Sequence, residues 1–272
     1  MPVVRYVALG DSQTEGLGDG DEASGLRGWA DRLAELLDAA EPGLRYANLA
    51  VRGQLAGQVR ATQLDAALAL RPDLATVVAG MNDLLRPRFD ADATGAELEA
   101  MFAALTAAGA RVATLTFPAM ERLVPLARPL APRVPALNAR IREAAARHGV
   151  TVVETYGEEV VVDPRLWSPD RLHAAPLGHA RIAAAFAHAL ALPGSDRDWA
   201  APLPAVPPVR GVRALAAEAR WVTGFLGPWL GRRVRGRSSA DGRVAKRPGL
   251  GPVGAGRGAG GFEAGRSGQA GG

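Results

Sequence analysis

Short apolar runs alternate with stretches of helical spacing through roughly the first 190 residues. Val3-Val4 with Tyr6–Leu9, then Leu44–Leu49, Leu74–Ala79, Val112–Phe117 and Val150–Glu154 are short, mostly apolar segments, several rich in valine. Runs of that kind predict strands covered on both faces, as in a parallel sheet. Between them, Trp29, Leu33, Leu36 and Leu37 share one helical face, as do Val59 and Leu64 with Gln63 on the polar margin. Leu98, Phe102 and Leu105 repeat the pattern, followed by Leu137, Ile141 and Ala145. A last helix is predicted from about Pro176 to Leu190, its proline placed where a missing N–H costs nothing.

Strands separated by helices cannot be hairpins; they need crossover connections and helical layers on both faces. The expectation is a three-layer α/β/α sandwich with a flavodoxin-like, five-stranded parallel sheet of order 2-1-3-4-5. Ligands in such sheets sit where the winding reverses. The loop after strand 1, carrying Ser12, would then lie between those carrying Gly53 and Asn82.

Composition divides the chain. Residues 1–193 make one domain of ordinary size, able to bury about 70% of its unfolded surface. Residues 194–234 read as a Pro/Gly-rich extension with a short amphipathic helix near Val212–Leu226, and 235–272 as a disordered, basic, Gly-rich tail. Within the domain, 118–135 holds five prolines among apolar residues, a long loop expected to be functional or mobile.

Charge sharpens that division. The net +4 combines 12 basic and 3 acidic residues from Arg210 onward (+9) with 20 and 25 before it (−5). The basic pI of 10.2 therefore belongs to the tail. Only Lys246 is lysine, and there is no cysteine, which excludes disulfides and thiolate metal sites. With no targeting segment or apolar run of membrane-spanning length visible, the expectation is a cytoplasmic protein.

Several residues at predicted strand ends carry candidate chemistry. Ser12, in Gly10-Asp11-Ser12-Gln13-Thr14-Glu15-Gly16, could be a nucleophile or merely cap the following segment. Asp170 lies three residues before His173, a spacing that lets a carboxylate orient an imidazole but also suits a surface ion pair. His148, His179 and His188 fall within or at the ends of helices and suit a base less well. Gly53 could donate its amide to an oxyanion or simply permit a left-handed turn. Asn82, in Gly80-Met81-Asn82-Asp83, could add a side-chain amide or cap the next turn.

Taken together, these blocks resemble the GDSL-type, or SGNH-type, hydrolases. Gly10-Asp11-Ser12, Gly53, Gly80-Met81-Asn82-Asp83 and Asp170-x-x-His173 are similar to that family's four blocks, in order. The resemblance implies Ser12 as nucleophile, His173 as general base and Asp170 as its orienter. It implies an oxyanion hole from the Ser12 and Gly53 amides with the Asn82 side chain, and Asp11 as a residue that shapes the loop. Gln13 departs from the leucine usual at its position.

The activity expected is cleavage of a small-molecule, lipid or glycan ester through an acyl-serine, with no cofactor and no metal. A non-catalytic acyl- or glycan-binding module on the same fold is the alternative. There is no Gly-x-Ser-x-Gly elbow, and Gly16-x-Gly18 lacks the third glycine of a dinucleotide loop. Residues 118–135 and Trp167 are expected to wall the acyl site or to pack as a satellite core. Trp221, Val222, Phe225, Leu226, Trp229 and Leu230, followed by Arg232, Arg233, Arg235 and Arg237, fit weak contact with an anionic membrane surface. A helix docked on the domain is the simpler alternative. Nucleic acid is not expected, since no base-stacking module accompanies the arginines.

Overall fold

Strands β1 (Arg5–Gly10), β2 (Arg45–Asn48), β3 (Leu74–Val78), β4 (Arg111–Leu115) and β5 (Thr151–Val153) run parallel in the order β5-β4-β3-β1-β2. That is the expected 2-1-3-4-5 read from the opposite edge. The computed structural model describes residues 3–21, 23, 25–207, 211–228 and 242–254.

One expectation is corrected at the β2 edge. A sixth strand, β6 (Arg247–Pro252), pairs antiparallel with β2, so the sheet is mixed. It falls inside the segment expected to be a disordered tail; residues 235–241 and 255–272 lie outside the described residues. Two prolines and two glycines in six residues carry no strand signal, and proline is tolerated in a sheet chiefly at an edge. Side chains anchor the strand instead. Arg247 Nε donates to the Tyr46 carbonyl at 2.9 Å, and its guanidinium lies 5.3 Å from the Tyr46 ring centroid. Lys246 Nζ, from the only lysine, donates to the Leu26 and Arg27 carbonyls at 3.0 Å and to Asp31 at 2.6 Å.

Winding reverses after β2. Helix α1 (Gly28–Ala40), which joins β1 to β2, accordingly lies on one face, and α2 (Ala56–Ala69), α3 (Ala91–Ala107) and α4 (Arg133–His148), which follow β2, β3 and β4, lie on the other. Helix α5 (Pro176–Ala189) follows β5 and packs on α1. Their contact is led by Trp29 stacked on Phe186, centroids 4.5 Å apart and both fully buried. Burial of each such ring stabilises the fold by about 2–3 kcal/mol.

Residues 118–135 are more regular than expected, holding a helical turn (Met120–Leu123) and a 3-10 stretch (Pro125–Leu130). In the extension, helix α6 (Val212–Trp221) continues as a π-helical turn (Val222–Leu226). Trp221 in it is buried, which favours the docked alternative for this segment; Trp229, Leu230 and the four arginines after them lie outside the described residues. Among the described residues, no helix is long and apolar enough to cross a membrane.

Candidate active site

The sheet's central strand ends at Gly10, where the backbone passes close to β3. A Cβ at Gly10 would lie 2.5 Å from the Val78 carbonyl oxygen, so only glycine fits. Gln63, expected on a polar margin, is instead buried beneath this point. Its side-chain amide accepts from Gly10 N at 2.9 Å and donates to Gly10 O at 2.8 Å. A side chain thereby replaces the ladder just where the strand stops. Asp11 then caps a helical turn, Ser12–Glu15, by accepting from Gln13 N at 3.3 Å.

Beyond β2, Val51 N donates to Gly10 O at 3.3 Å and carries the next loop alongside the serine turn. Arg52 fixes it there: its backbone N–H and guanidinium donate to the buried Glu15 carboxylate at 2.7 and 2.6 Å. Gly53 comes next in a left-handed conformation, φ 79°. Among the described residues, the Ser12 and Gly53 amides meet no intramolecular acceptor.

Asn82 stands across from them, after β3. Its Nδ2 donates to Asp11 Oδ2 at 3.1 Å and to the Gln54 carbonyl at 3.0 Å. The expected oxyanion donor therefore has both N–H bonds engaged, tying three loops together. Asp11 beneath it is buried, which pushes its carboxyl up to about 7 against the opposing hydrogen bond from Gln13.

The loop ahead of α5 supplies the imidazole. His173 Nε2 lies 2.9 Å from Ser12 Oγ, and Nδ1 lies 2.6 Å from Asp170 Oδ2. Asp170 Oδ1 also accepts from Leu172 N, His173 N and Ser168 Oγ at 2.9, 3.0 and 2.7 Å. Burial raises its carboxyl, but the bond and charge of His173 and these amides outweigh that and hold it well below the usual carboxylate range. An ionised Asp170 fixes the proton on Nδ1 and leaves Nε2 free to accept from the serine hydroxyl.

Two contacts bring this loop to the serine. Gly18 passes so close to the Ala174 carbonyl that a Cβ there would collide with it. Gln13 donates to Leu172 O at 3.2 Å and accepts from Ala174 N at 3.1 Å, bracketing His173. The departure from leucine thus braces the loop that carries His173.

His179 has a different task. Its Nδ1 accepts from Trp29 N at 3.0 Å and its Nε2 donates to Leu17 O at 2.9 Å. Burial pushes its pKa down to about 4, so it is a neutral strut.

A cavity of about 480 Å³ opens beside His173. Met120, Val124, Leu126 and Leu130 line it, placing the 118–135 segment on its wall; Leu123 is buried away from it. The expectation for Trp167 is corrected: its indole donates to Val161 O at 2.8 Å, and it borders a separate small void. The lining also includes Trp221, Gly224 and Phe225 of the extension, which sequence reasoning did not foresee. The available signal was an apolar helical island inside a polar, Pro/Gly-rich stretch.

The profile described as "GDSL-like Lipase/Acylhydrolase family" matches residues 8–181, a span holding every residue of the serine–histidine–aspartate constellation. No curated protein sequence matches the chain. Several solved structures share the fold. LAE5, an alpha/beta hydrolase enzyme from the metagenome of Lake Arreo, Spain, is 23% identical over 70% of this chain and 95% of its own, with a TM-score of 0.58. The psychrotrophic esterase EstA from Pseudoalteromonas sp. is 20% identical over 69% and 97%, TM-score 0.56. Axe2, an acetylxylan esterase from Geobacillus stearothermophilus, is 21% identical over 68% and 93%, TM-score 0.58.

Proposed function

The chain belongs to the GDSL-like lipase/acylhydrolase family, and we propose that it hydrolyses carboxylic esters through an acyl-Ser12 intermediate. His173 Nε2 removes the hydroxyl proton as Ser12 Oγ attacks the ester carbonyl. Asp170 holds the imidazole in the productive tautomer and stabilises the imidazolium that forms. The Ser12 and Gly53 amides receive the oxyanion, and Asn82 joins them by sharing the N–H now resting on Gln54 O. Each such donor lowers the barrier by about 3–4 kcal/mol. His173 then protonates the departing alkoxide, and water, deprotonated by the same imidazole, releases the acid.

The observation that carries this reading is the unbroken relay Ser12–His173–Asp170, at 2.9 and 2.6 Å, beside two amides that meet no acceptor among the described residues. A purely binding module has no use for a carboxylate-oriented imidazole on a serine hydroxyl. The esterases among the structural neighbours support the same reaction class. Fluorophosphonate labelling tests it. Wild type should be modified at Ser12, and Ser12→Ala should take up no label and lose on the order of 10⁶ in kcat. Equal labelling of the variant would mean a different nucleophile and would reject the proposal.

A further inference from the structure

We propose that the C-terminal helix, residues 212–228, is one wall of an acyl-binding groove and selects medium-length apolar acyl chains. The proposal rests on the ester hydrolase reading and adds a substrate class and a selectivity element to it. The helix lies outside the family-matched span of residues 8–181.

Its attachment is specific. Arg171 forms a two-point ion pair with Glu218, at 2.8 and 2.7 Å, and lies 4.8 Å from the Trp221 ring centroid. The Trp221 indole donates to the Asp170 carbonyl at 3.0 Å. All three contacts fall on the Asp170–Arg171 turn, where Arg171 holds a left-handed backbone, φ 57°. For a residue with a Cβ that conformation is uncommon and must be held by its surroundings. Helix and histidine loop therefore form one unit, and the wall is fixed in place relative to the reacting atoms.

The turn beyond Trp221 is shaped for a ligand as well as for docking. Its π-helical stretch brings Gly224, Phe225 and Leu226 to the cavity, whose lining they share with Met120, Leu126 and Leu130. Phe225 and Leu126 remain 43% and 63% exposed, large apolar side chains lining the same cavity. The polar groups on the lining, apart from Glu121, belong to the Asp170–His173 loop. A cavity whose lining is apolar except for one loop and Glu121 fits a neutral alkanoyl chain, not a sugar. Its volume of about 480 Å³ sits in the lower part of the usual range for ligand pockets, ~300–1,000 Å³, and exceeds what an acetyl group needs.

The test compares kcat/KM for p-nitrophenyl octanoate and acetate in the full chain. Moving one methylene from water onto an apolar wall favours the reaction by about fourfold, so the wild type should prefer octanoate strongly. Phe225→Ala should lower the octanoate-to-acetate ratio about tenfold. Gly224→Trp should lower it further by filling the groove. A Cβ at Gly224 meets nothing within 4 Å, so added bulk there is compatible with folding.

A ratio unchanged in both variants, or both esters falling in proportion, would overturn the proposal and leave the hydrolase reading intact. If Ser12 fails to react with a fluorophosphonate, that reading falls instead. The groove is then judged by octanoate binding measured as a thermal shift. Stabilisation lost in Gly224→Trp supports it, and equal stabilisation of wild type and variant overturns it.

Discussion

The floor and the helical wall of this site are built by opposite means. The floor is polar and pinned by hydrogen bonds. Gln63 holds Gly10, Glu15 holds Arg52, Asn82 ties Asp11 to Gln54, and Gln13 brackets His173. The wall is apolar, half-exposed at Phe225 and Leu126, and attached through one turn of backbone at Asp170 and Arg171. Hydrogen bonds are directional, so a floor made of them fixes reacting atoms to within a few tenths of an ångström. Apolar contacts are not directional and tolerate chains of varied length. The division implies that floor variants scale every ester alike, whereas wall variants change the ratio between esters.

Asp170→Asn puts the largest strain on that division, because Asp170 belongs to both regions. Its carboxylate orients His173, while its backbone carbonyl receives the Trp221 indole. The substitution removes the first and keeps the second. Losing the orienting carboxylate of a serine–histidine pair lowers kcat on the order of 10⁴. The loss should be equal for acetate and octanoate esters. A changed chain-length preference in this variant would show that floor and wall are not separable.

Gln13→Leu is the intermediate case. It installs an apolar side chain and cuts both bonds that bracket His173. Ala174 N–H and Leu172 C=O then lose their side-chain partner, at a cost of about 1–3 kcal/mol if they stay dry. A ten- to hundredfold fall in kcat for both esters is expected, and Gln13→Glu, which keeps the acceptor for Ala174 N, should recover part of it. Rates that track thermal stability alone across the three proteins would make Gln13 a stability residue, not a brace.

The same division explains how much could be read without coordinates. The five parallel strands and the order of the candidate residues along the chain were legible, because buried strands announce themselves as apolar runs and each candidate group sits in a short motif, after a strand for Ser12, Gly53 and Asn82 and ahead of α5 for Asp170 and His173. Leu74–Ala79 against the observed Leu74–Val78 shows how close that reading comes. The braces were not legible, since Gln13 and Gln63 pair with backbone far away in sequence and an amide side chain gives no periodic signal. Nor was β6, whose Arg-Pro-Gly-Leu-Gly-Pro owes its strand to Arg247 and Lys246 reaching into the domain. The wall was hardest of all. Its helix was visible as apolar spacing, but its destination depends on Arg171, Glu218 and Trp221 meeting across some 50 residues.

His179→Gln gives the smallest expected change in rate and probes the floor from below. His179 ties the loop after Ser12 to α1 without touching a reacting atom. Its folded pKa of about 4 lies below the ordinary 6.5, so between those values the unfolded chain binds the extra proton. Its stabilising contribution is therefore complete above about pH 6.5 and is lost as pH falls towards 4, by on the order of 3 kcal/mol. Asp11 has the opposite sign: its raised carboxyl, at about 7, favours the fold at low pH and loses that contribution as pH rises through 7. Glutamine can accept from Trp29 N and donate to Leu17 O while carrying no titratable proton. Urea unfolding at pH 4.5 and pH 7 should show a smaller acid-side loss of stability in the variant, with ester hydrolysis at neutral pH within about twofold. Parallel pH profiles for the two proteins would mean that the imidazole is not held neutral, and the support beneath the serine turn would then need another account.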